Sequence, residues 1–139
     1  MTWLTWSLLS AAFAAATAIL AKLGVERLDA NFATALRTSV VVAFTWLLAW
    51  RNWPSSGLGS VSGRTWLFLV ASGLATGCSW LCYFHALKLG QASQVAPIDK
   101  LSVALVILLG ALVLGEKLTW AKGIGGLFIV AGAIIIAVE

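Results

Sequence analysis

The sequence predicts an all-α integral membrane protein with five transmembrane helices. Of its 139 residues, 61% are hydrophobic and 10% are charged, whereas soluble domains are about 45–50% apolar and about 25% charged. A bilayer core of roughly 30 Å requires about 20 mainly apolar residues in each helix. Five windows of that length lie between charged residues and turn residues, so a water-exposed globular domain is excluded.

The five predicted helices take up almost the whole chain. They comprise residues 3–21, 32–50, 65–86, 95–114 and 120–138. The connectors between them are short, and the longest contains Pro54, Gly57 and Gly59, which favour turns. Almost nothing remains for a soluble domain, and a single membrane domain over residues 1–139 is predicted.

Charged residues or tryptophans lie at the ends of the predicted helices. The first helix opens with Trp3 and ends before Lys22, and no basic residue precedes its apolar run. Because that run is also too long for the hydrophobic region of a signal peptide, we expect a membrane helix here. The second helix closes on tryptophans before Arg51, and the third lies between Arg64 and Lys88.

The fourth helix ends at Gly115, and the fifth opens with a tryptophan, a residue that favours the membrane interface. Seven of the eight tryptophans lie on the side of the N-terminus, side A, and the opposite side is side B. These seven are Trp3, Trp6, Trp46, Trp50, Trp53, Trp66 and Trp120. Trp80 lies toward side B and is not part of this belt.

The basic residues of the connectors are almost evenly divided between the two sides. Side A has Arg51, Arg64, Lys117 and Lys122. Side B has Lys22, Arg27 and Lys88. Basic residues normally concentrate on the cytoplasmic side, but counting Arg37 and Lys100 with side B reverses the balance. Dual insertion and a single orientation with side A in the cytoplasm therefore both stay open.

Three charged residues lie four or more positions inside the predicted helices, where each costs about 2.5–3.5 kcal/mol and normally faces protein or water. Arg37 lies in the second helix, and Asp99 and Lys100 lie in the fourth, close after Pro97, which fits an early helical turn. All three lie roughly 6–8 Å below side B. One interpretation is a structural Arg37–Asp99 ion pair or snorkelling cations. The other is a polar site of net charge +1 that binds an anionic group of a metabolite.

The third helix supplies a second candidate lining. Thr76, Trp80 and Tyr83 recur on one helical face. The alternative interpretation is close helix packing, with hydroxyls bonded to their own backbone. His85, the only histidine, lies at the side B end of this helix, and a histidine titrates near neutral pH. His85 and Asp99 are therefore candidate proton carriers.

Small residues predict surfaces for helix packing or for a dimer contact. Gly125 and Gly132 lie seven apart in the fifth helix, and Ala14 and Ala18 lie four apart in the first. Small side chains let two membrane helices approach closely. These positions suit a tight bundle or a dimer better than they suit catalysis.

The residue inventory excludes several functional classes. The sequence has no His, Cys, Asp and Glu set with metal-ligand spacing, no nucleophile elbow and no pair of carboxylates within a helix. Its basic residues are spread singly, without the stripe that nucleic acids require. We therefore expect no enzyme, no metal or other cofactor and no nucleic-acid partner.

A series of motif residues extends from Tyr83 to Gly132. An aromatic, alanine-containing helix end leads through an Ala/Ser connector into a helix that closes with Gly-Glu, followed by Leu-Thr and two glycines seven apart. These residues are Tyr83, Phe84, Ala86, Ala92, Ser93, Gly115, Glu116, Leu118, Thr119, Gly125 and Gly132. The pattern resembles the EamA repeat of the drug/metabolite transporter superfamily. Many members have a proline where this chain has Val103, whereas this chain has Pro97.

The resemblance implies one five-helix repeat and a transport function. Common members carry two repeats, which an odd helix number places in opposite orientations with substrate bound near the midplane. A lone repeat therefore implies a homodimer, antiparallel if it imitates the fused form. Small multidrug transporters also form antiparallel dimers, but they have four helices and an essential glutamate in the first, where this chain has no acid.

We predict a transporter that exports small organic metabolites or drugs as a homodimer by alternating access. The predicted substrate site comprises Arg37, Asp99, Lys100, Trp80, Tyr83 and Thr76. The expected partners are membrane lipid and a small-molecule substrate, and the expected location is the bacterial inner membrane, crossed several times. The alternative is a non-transporting membrane subunit or scaffold whose buried charges only fix packing.

Overall fold

The computed structural model describes residues 2–53 and 57–138, and the regular structure in this part of the chain is helical. Helix α1 comprises Trp3–Val25, α2 Ala30–Arg51, α3 Gly63–Leu89, α4 Ala92–Asp99, α5 Leu101–Val113 and α6 Trp120–Ala137. Among the described residues, five segments are long and apolar enough to cross a membrane, because α4 and α5 together form one of them. The predicted all-α membrane fold with five transmembrane helices is confirmed.

Several helices extend beyond the predicted windows. Helix α1 continues past residue 21 to Val25, α3 continues to Leu89, and α2 begins at Ala30. A window defined by apolar residues stops at the first charge, but Lys and Arg are good helix formers. Lys22 and Lys88 therefore lie within helices whose apolar windows end before them.

The fourth predicted helix is interrupted at Lys100. The backbone N–H of Lys100 donates to the Pro97 carbonyl at 3.0 Å, and that of Val103 donates to the Lys100 carbonyl at 2.9 Å. Both bonds span three residues, as in a 3₁₀ turn. Pro97 lies in the interior of α4 and not in an early turn as the sequence suggested, because α4 begins at Ala92. Without an N–H, Pro97 cannot continue the hydrogen-bond ladder of the helix.

Hydroxyl side chains inside the helices donate to carbonyls of their own helix. The hydroxyl of Thr34 donates to the Ala30 carbonyl at 2.7 Å, and that of Thr38 donates to the Thr34 carbonyl at 2.7 Å. Hydrocarbon offers no water to satisfy such groups. These hydroxyls are therefore compatible with the membrane without a polar partner on another helix.

The described residues form two compact units. Residues Leu23–Lys88 form one, here called the α2–α3 unit, and the residues up to Lys22 with those from Leu89 onward form the other, the α4–α6 unit. The buried residues of the α2–α3 unit are Val25, Ala30, Ala33, Thr34, Phe84 and Leu87. In the α4–α6 unit, α6 packs against α4 and α5. The single domain over residues 1–139 stays a prediction.

Candidate functional site

Arg37 lies in the interior of α2, on a stripe that begins with buried Ala30, Ala33 and Thr34. The start of the helix is fixed by Asp29, whose carboxylate accepts backbone N–H groups of the first turn at 2.9 and 3.1 Å. Because α2 begins at Ala30 and not at residue 32, Arg37 lies about 10 Å from the start of the helix, farther than the sequence suggested.

The guanidinium of Arg37 lies against two aromatic rings of α3. Its Cζ atom lies 4.2 Å from the centre of the Trp80 ring and 5.6 Å from the centre of the Phe84 ring. Arg37 and Trp80 are half-buried, and Phe84 is buried. A cation over the face of an aromatic ring is stabilised by the ring quadrupole, most strongly by that of Trp.

Aromatic rings, and not a carboxylate, accompany Arg37 within its own unit. Glu26 and Asp29 are the acids of the described α2–α3 unit, and neither forms a salt bridge with Arg37. An arginine at a helix centre costs about 2.5–3.5 kcal/mol to insert, and a desolvated cation–π contact contributes about 2 kcal/mol. The contact offsets only part of the cost, which leaves the guanidinium suited to bind an anion.

Trp80 differs from the other seven tryptophans in its exposure. Those seven are exposed, from 44% for Trp66 to 90% for Trp120, as expected for side chains that face lipid and headgroups. Trp80 is half-buried and lies on Arg37. The separation of Trp80 from the interfacial belt, drawn from its position in the sequence, agrees with this difference.

The two other predicted site residues of α3, Tyr83 and Thr76, differ in burial. Tyr83 is half-buried in α3, three residues after Trp80. Thr76 is exposed, and its hydroxyl donates to the Ser72 carbonyl of its own helix at 2.9 Å. The structure therefore brings Arg37 and Trp80 together, whereas the Thr76 hydroxyl bonds within its own helix.

Asp99 and Lys100 lie at the helix interruption of the α4–α6 unit. The Lys100 ammonium lies 3.3 Å from a carboxylate oxygen of Asp99, and the two side chains are 55% and 37% exposed. The two residues are sequence neighbours, so this ion pair needs no other helix. Asp99 and Arg37 belong to different units, and a pair between them stays a prediction.

His85 is exposed near the end of α3. Its Nδ1 atom lies 2.9 Å from the Leu81 carbonyl oxygen, one turn earlier in the helix. If Nδ1 donates that bond, Nε2 is the acceptor nitrogen of the neutral ring. The roles of His85 and Asp99 as proton carriers stay predictions.

Asp29, at the start of α2, lies in the electrostatic field of positive charge at the end of α3. The hydrogen bond from the backbone of Phe32 is the largest cause that lowers the pKa of Asp29 below its usual 3.8, and the charges of Lys88 and His85 act in the same direction. Lys88 also donates to the Leu28 carbonyl at 2.8 Å. This hydrogen bond holds the connector before α2 against the end of α3.

The glycines of α6 are divided between two faces. Gly126 and Ala133 are buried, and a Cβ on Gly126 would lie 3.3 Å from Cδ1 of Ile107 in α5. Around Gly125 and Gly132, no heavy atom of the described residues would lie within 4 Å of an added Cβ. Packing inside the unit uses Gly126 and Ala133, and a dimer contact at Gly125 and Gly132 stays a prediction.

The small residues of α1 also divide by exposure. Ala18 is buried, whereas Ala14 is exposed. One turn beyond Ala18, the ammonium of Lys22 donates to the Gly90 carbonyl at 2.8 Å. This bond ties the end of α1 to the connector before α4, a role that the sequence did not indicate for Lys22.

Both cysteines of the chain lie on α3. Cys78 and Cys82 carry free, exposed thiols one turn apart on α3. Among the described residues, no three His, Cys, Asp or Glu side chains are grouped so that they could hold a metal ion.

The sequence profile of the EamA-like transporter family matches residues 1–138. This chain belongs to the EamA-like transporter family. A relative from Sinorhizobium sp, described as an uncharacterized transporter in cobO 3'region, is 51% identical over 136 residues, which cover 98% of this chain and 96% of the relative. No solved structure matches the chain. The predicted resemblance is confirmed, and the chain is a multi-pass membrane protein of a transporter family.

The EamA motif residues around Gly115 form the turn between α5 and α6. Gly115 has a φ of +68°, which favours glycine, and the N–H groups of Leu114 and Glu116 both donate to the Gly110 carbonyl at 3.1 Å. Thr119 then caps α6, because its hydroxyl accepts the Lys122 N–H at 3.3 Å. These motif residues therefore end one helix and begin the next.

Two contacts of this EamA-family chain differ in how far the sequence indicated them. Phe84 lies on the candidate face of α3, and its ring is the second aromatic group beside Arg37. Its position four residues after Trp80 places both rings on one face of α3, which was a usable signal. The ion pair between Glu116 and Lys122, at 3.3 Å, has no comparable signal because the two residues lie on either side of a turn.

Proposed function

We propose that this EamA-family protein exports small organic metabolites that carry an anionic group, by alternating access as a homodimer of half-size repeats. The observation that carries the proposal is the Arg37 guanidinium 4.2 Å above the Trp80 ring, inside a transmembrane helix. Ionisable residues within membrane spans are expensive and usually lie on substrate or ion pathways. Membership in a transporter family makes substrate binding the natural role for such a residue.

The chemistry of the Arg37 site suits a carboxylate or phosphate attached to an apolar body. A guanidinium is planar and presents paired N–H donors to two oxygens of such a group while one face rests on a ring. Trp80 and Tyr83 then form aromatic walls for the rest of the molecule. Arg37 need not leave its ring to bind, so the site is organised before the substrate arrives.

The interruption at Lys100 supports a second part of the proposal. Interrupted transmembrane helices in transporters often lie at substrate and ion sites. Asp99 and Lys100 lie at such a break, each still partly exposed. We assign them to polar groups of the substrate, and Asp99 or His85 to proton coupling if transport is proton-driven.

The homodimer is supported by the odd number of spans and by the surface that the chain leaves open. Between 6% and 11% of each span is buried inside the chain. Gly125 and Gly132 have room for a close helix approach. An antiparallel pair of five-helix repeats would reproduce the inverted arrangement of transporters with two fused repeats.

A binding and flux screen on purified protein tests the proposal. Small aromatic or aliphatic carboxylates and phosphates are compared with their uncharged amides and alcohols, by thermal stabilisation in detergent and by flux from proteoliposomes. We expect stabilisation and flux for anionic compounds and not for their neutral counterparts. Inert vesicles across the whole panel would favour a non-transporting scaffold.

Orientation is tested by cysteine labelling in intact cells. Cysteines are introduced at Ser56, which lies outside the described residues, and at exposed Gln91, after Cys78 and Cys82 are replaced by serine. Dual insertion predicts that an impermeant reagent labels both sites from outside. Labelling of one site alone would exclude the antiparallel homodimer and leave the Arg37 site untouched.

A further inference from the structure

A groove runs along the surface of the α4–α6 unit between α5 and α6. Its volume is about 280 Å³. Ala104, Ile107 and Leu108 line it from α5, and Gly123, Gly126 and Leu127 line it from α6. Leu108 and Leu127 are 51% and 70% exposed, so the groove opens sideways into the region that lipid chains occupy.

Two glycines of α6 leave space for this groove, and one of them could carry a side chain without a clash. A Cβ on Gly126 would lie 3.3 Å from Ile107, so Gly126 forms the tightly packed floor. A Cβ on Gly123 would meet no heavy atom of the described residues within 4 Å. The space above Gly123 is therefore open and is available to a ligand.

The groove has a polar end and an apolar body. Lys122 lines it at the first turn of α6, beside Trp120, which is 90% exposed and marks the interface. The connector and first turn contain two cations, Lys117 and Lys122, against one carboxylate, Glu116, a net charge of +1. The lining continues to Val130, about 12 Å further along the helix.

We propose that this groove binds one acyl chain of an anionic phospholipid, whose headgroup phosphate contacts Lys122. The polar end lies at headgroup level, and the apolar body reaches into the hydrocarbon region, as in a lipid molecule. A net positive charge at the membrane interface attracts anionic headgroups. No residue that lines the groove is a member of the proposed substrate site, and the proposal does not depend on that site.

The charges at the polar end favour a lipid over a helix from a second copy. The Lys122 ammonium lies 3.3 Å from the Glu116 carboxylate, and the two side chains are 45% and 57% exposed. A covering helix would remove both charges from water, which is costly for an ion pair. A phospholipid leaves these groups in the hydrated headgroup layer.

The test measures lipid binding to purified, delipidated protein by native mass spectrometry and by thermal stabilisation. Phosphatidylglycerol and phosphatidylcholine with identical acyl chains are compared, with glycerol 1-phosphate as the headgroup without a chain. We expect phosphatidylglycerol to bind about fivefold more tightly than phosphatidylcholine, from the single excess charge. We expect no stabilisation by glycerol 1-phosphate.

A variant that fills the groove distinguishes lipid binding in the groove from nonspecific lipid binding elsewhere on the protein. Gly123→Leu is expected to abolish the strongly bound lipid, and Ala121→Leu, at a neighbouring exposed position outside the groove lining, is expected to retain it. If Gly123→Leu does not fold, Gly123→Ala adds one methyl group to open space and is expected to weaken the same lipid. Unchanged lipid binding in the groove variant would overturn the proposal.

The two charges at the polar end give opposite predictions. Lys122→Gln is expected to remove the preference for phosphatidylglycerol, and Glu116→Gln is expected to increase it about fivefold. Equal affinity for both lipids in the wild type, or changes of the same sign in the two variants, would contradict a headgroup contact at Lys122. A loss of dimer in Gly123→Leu with lipid binding retained would assign the groove to a second copy.

Discussion

The two units of this transporter-family protein accommodate intramembrane charge in different ways. In the α2–α3 unit, Arg37 lies on aromatic rings supplied by another helix. In the α4–α6 unit, Lys100 lies beside the carboxylate of its own sequence neighbour, Asp99, at a helix interruption. One cation depends on tertiary packing, and the other is neutralised locally.

The difference matters for anion binding. A ring face stabilises a cation without neutralising it, whereas a carboxylate competes directly with an incoming carboxylate or phosphate. The aromatic contact therefore leaves Arg37 available to a substrate, and the ion pair makes Lys100 less available. If both charges serve transport, their substitution has unequal effects.

The largest expected effect comes from Arg37→Gln. A charge-assisted hydrogen bond contributes about 1.5–3 kcal/mol, so flux and binding of an anionic substrate are expected to fall roughly ten- to hundredfold. The measurement is substrate-dependent flux in proteoliposomes with equal protein content.

Arg64→Gln is the matched control for this variant. Arg64 also lies near a ring, with its Cζ atom 5.8 Å from the centre of Phe68, but it is exposed at the start of α3. Flux through this variant is expected to stay within about twofold of the wild type, in keeping with the small contribution of exposed charges. Equal losses in both arginine variants would remove the special role given to Arg37.

Gly115→Ala is expected to affect stability and to spare substrate affinity. A residue with a side chain in the left-handed conformation costs about 1–2 kcal/mol, because Gly115 has a φ of +68°. The midpoint of thermal unfolding in detergent measures the loss. Gly123→Ala, in open space inside α6, is the control and is expected to leave the midpoint unchanged or higher. A normal midpoint for Gly115→Ala would show that the turn relaxes into another conformation.

Asp99→Asn is expected to change flux by at most about fivefold, the range of a partly exposed ion pair. The change leaves the helix interruption intact because Pro97 and the 3₁₀ turn do not depend on the carboxylate. Flux is measured with and without a pH gradient. A loss as large as that of Arg37→Gln would show that the Asp99 carboxylate contributes as much to transport as Arg37 does.

The smallest expected effect is the pH dependence of the stability that Asp29 contributes as the N-cap of α2. The pKa of Asp29 is lowered in the folded protein, so its contribution to stability is present above its ordinary pKa of 3.8 and is lost as pH falls through the lowered value. The difference in thermal midpoint between the wild type and Asp29→Ser should therefore shrink below about pH 4.

The cap of α6 provides the uncharged comparison. Thr119 caps that helix with a hydroxyl, and Thr119→Ala is expected to cost about 1 kcal/mol at neutral and acidic pH alike. A difference for Asp29→Ser that stays constant with pH would mean that the Asp29 carboxylate contributes no charge-dependent stabilisation.

Local features of the sequence were sufficient for the outline of the fold. Five apolar windows separated by charges and turn residues predicted the five spans, because crossing a bilayer requires a fixed length of apolar helix. The same windows misplaced helix ends at Lys22 and Lys88, since a charge ends an apolar window but does not end a helix. The sequence did not predict the interruption at Lys100, because Pro97 was expected in an early helical turn, whereas α4 begins at Ala92 and contains Pro97 in its interior.

By itself, the sequence determined that this protein spans the membrane five times and belongs to a transporter family, and it indicated which charges lie inside helices. The tertiary structure decided what each charge contacts. Whether Arg37 meets Trp80 and Phe84 depends on the rotation of α2 relative to α3, and whether Gly126 or Gly125 packs on α5 depends on the rotation of α6. Helix rotation is set by side-chain packing between distant segments, which composition and spacing within one segment do not specify.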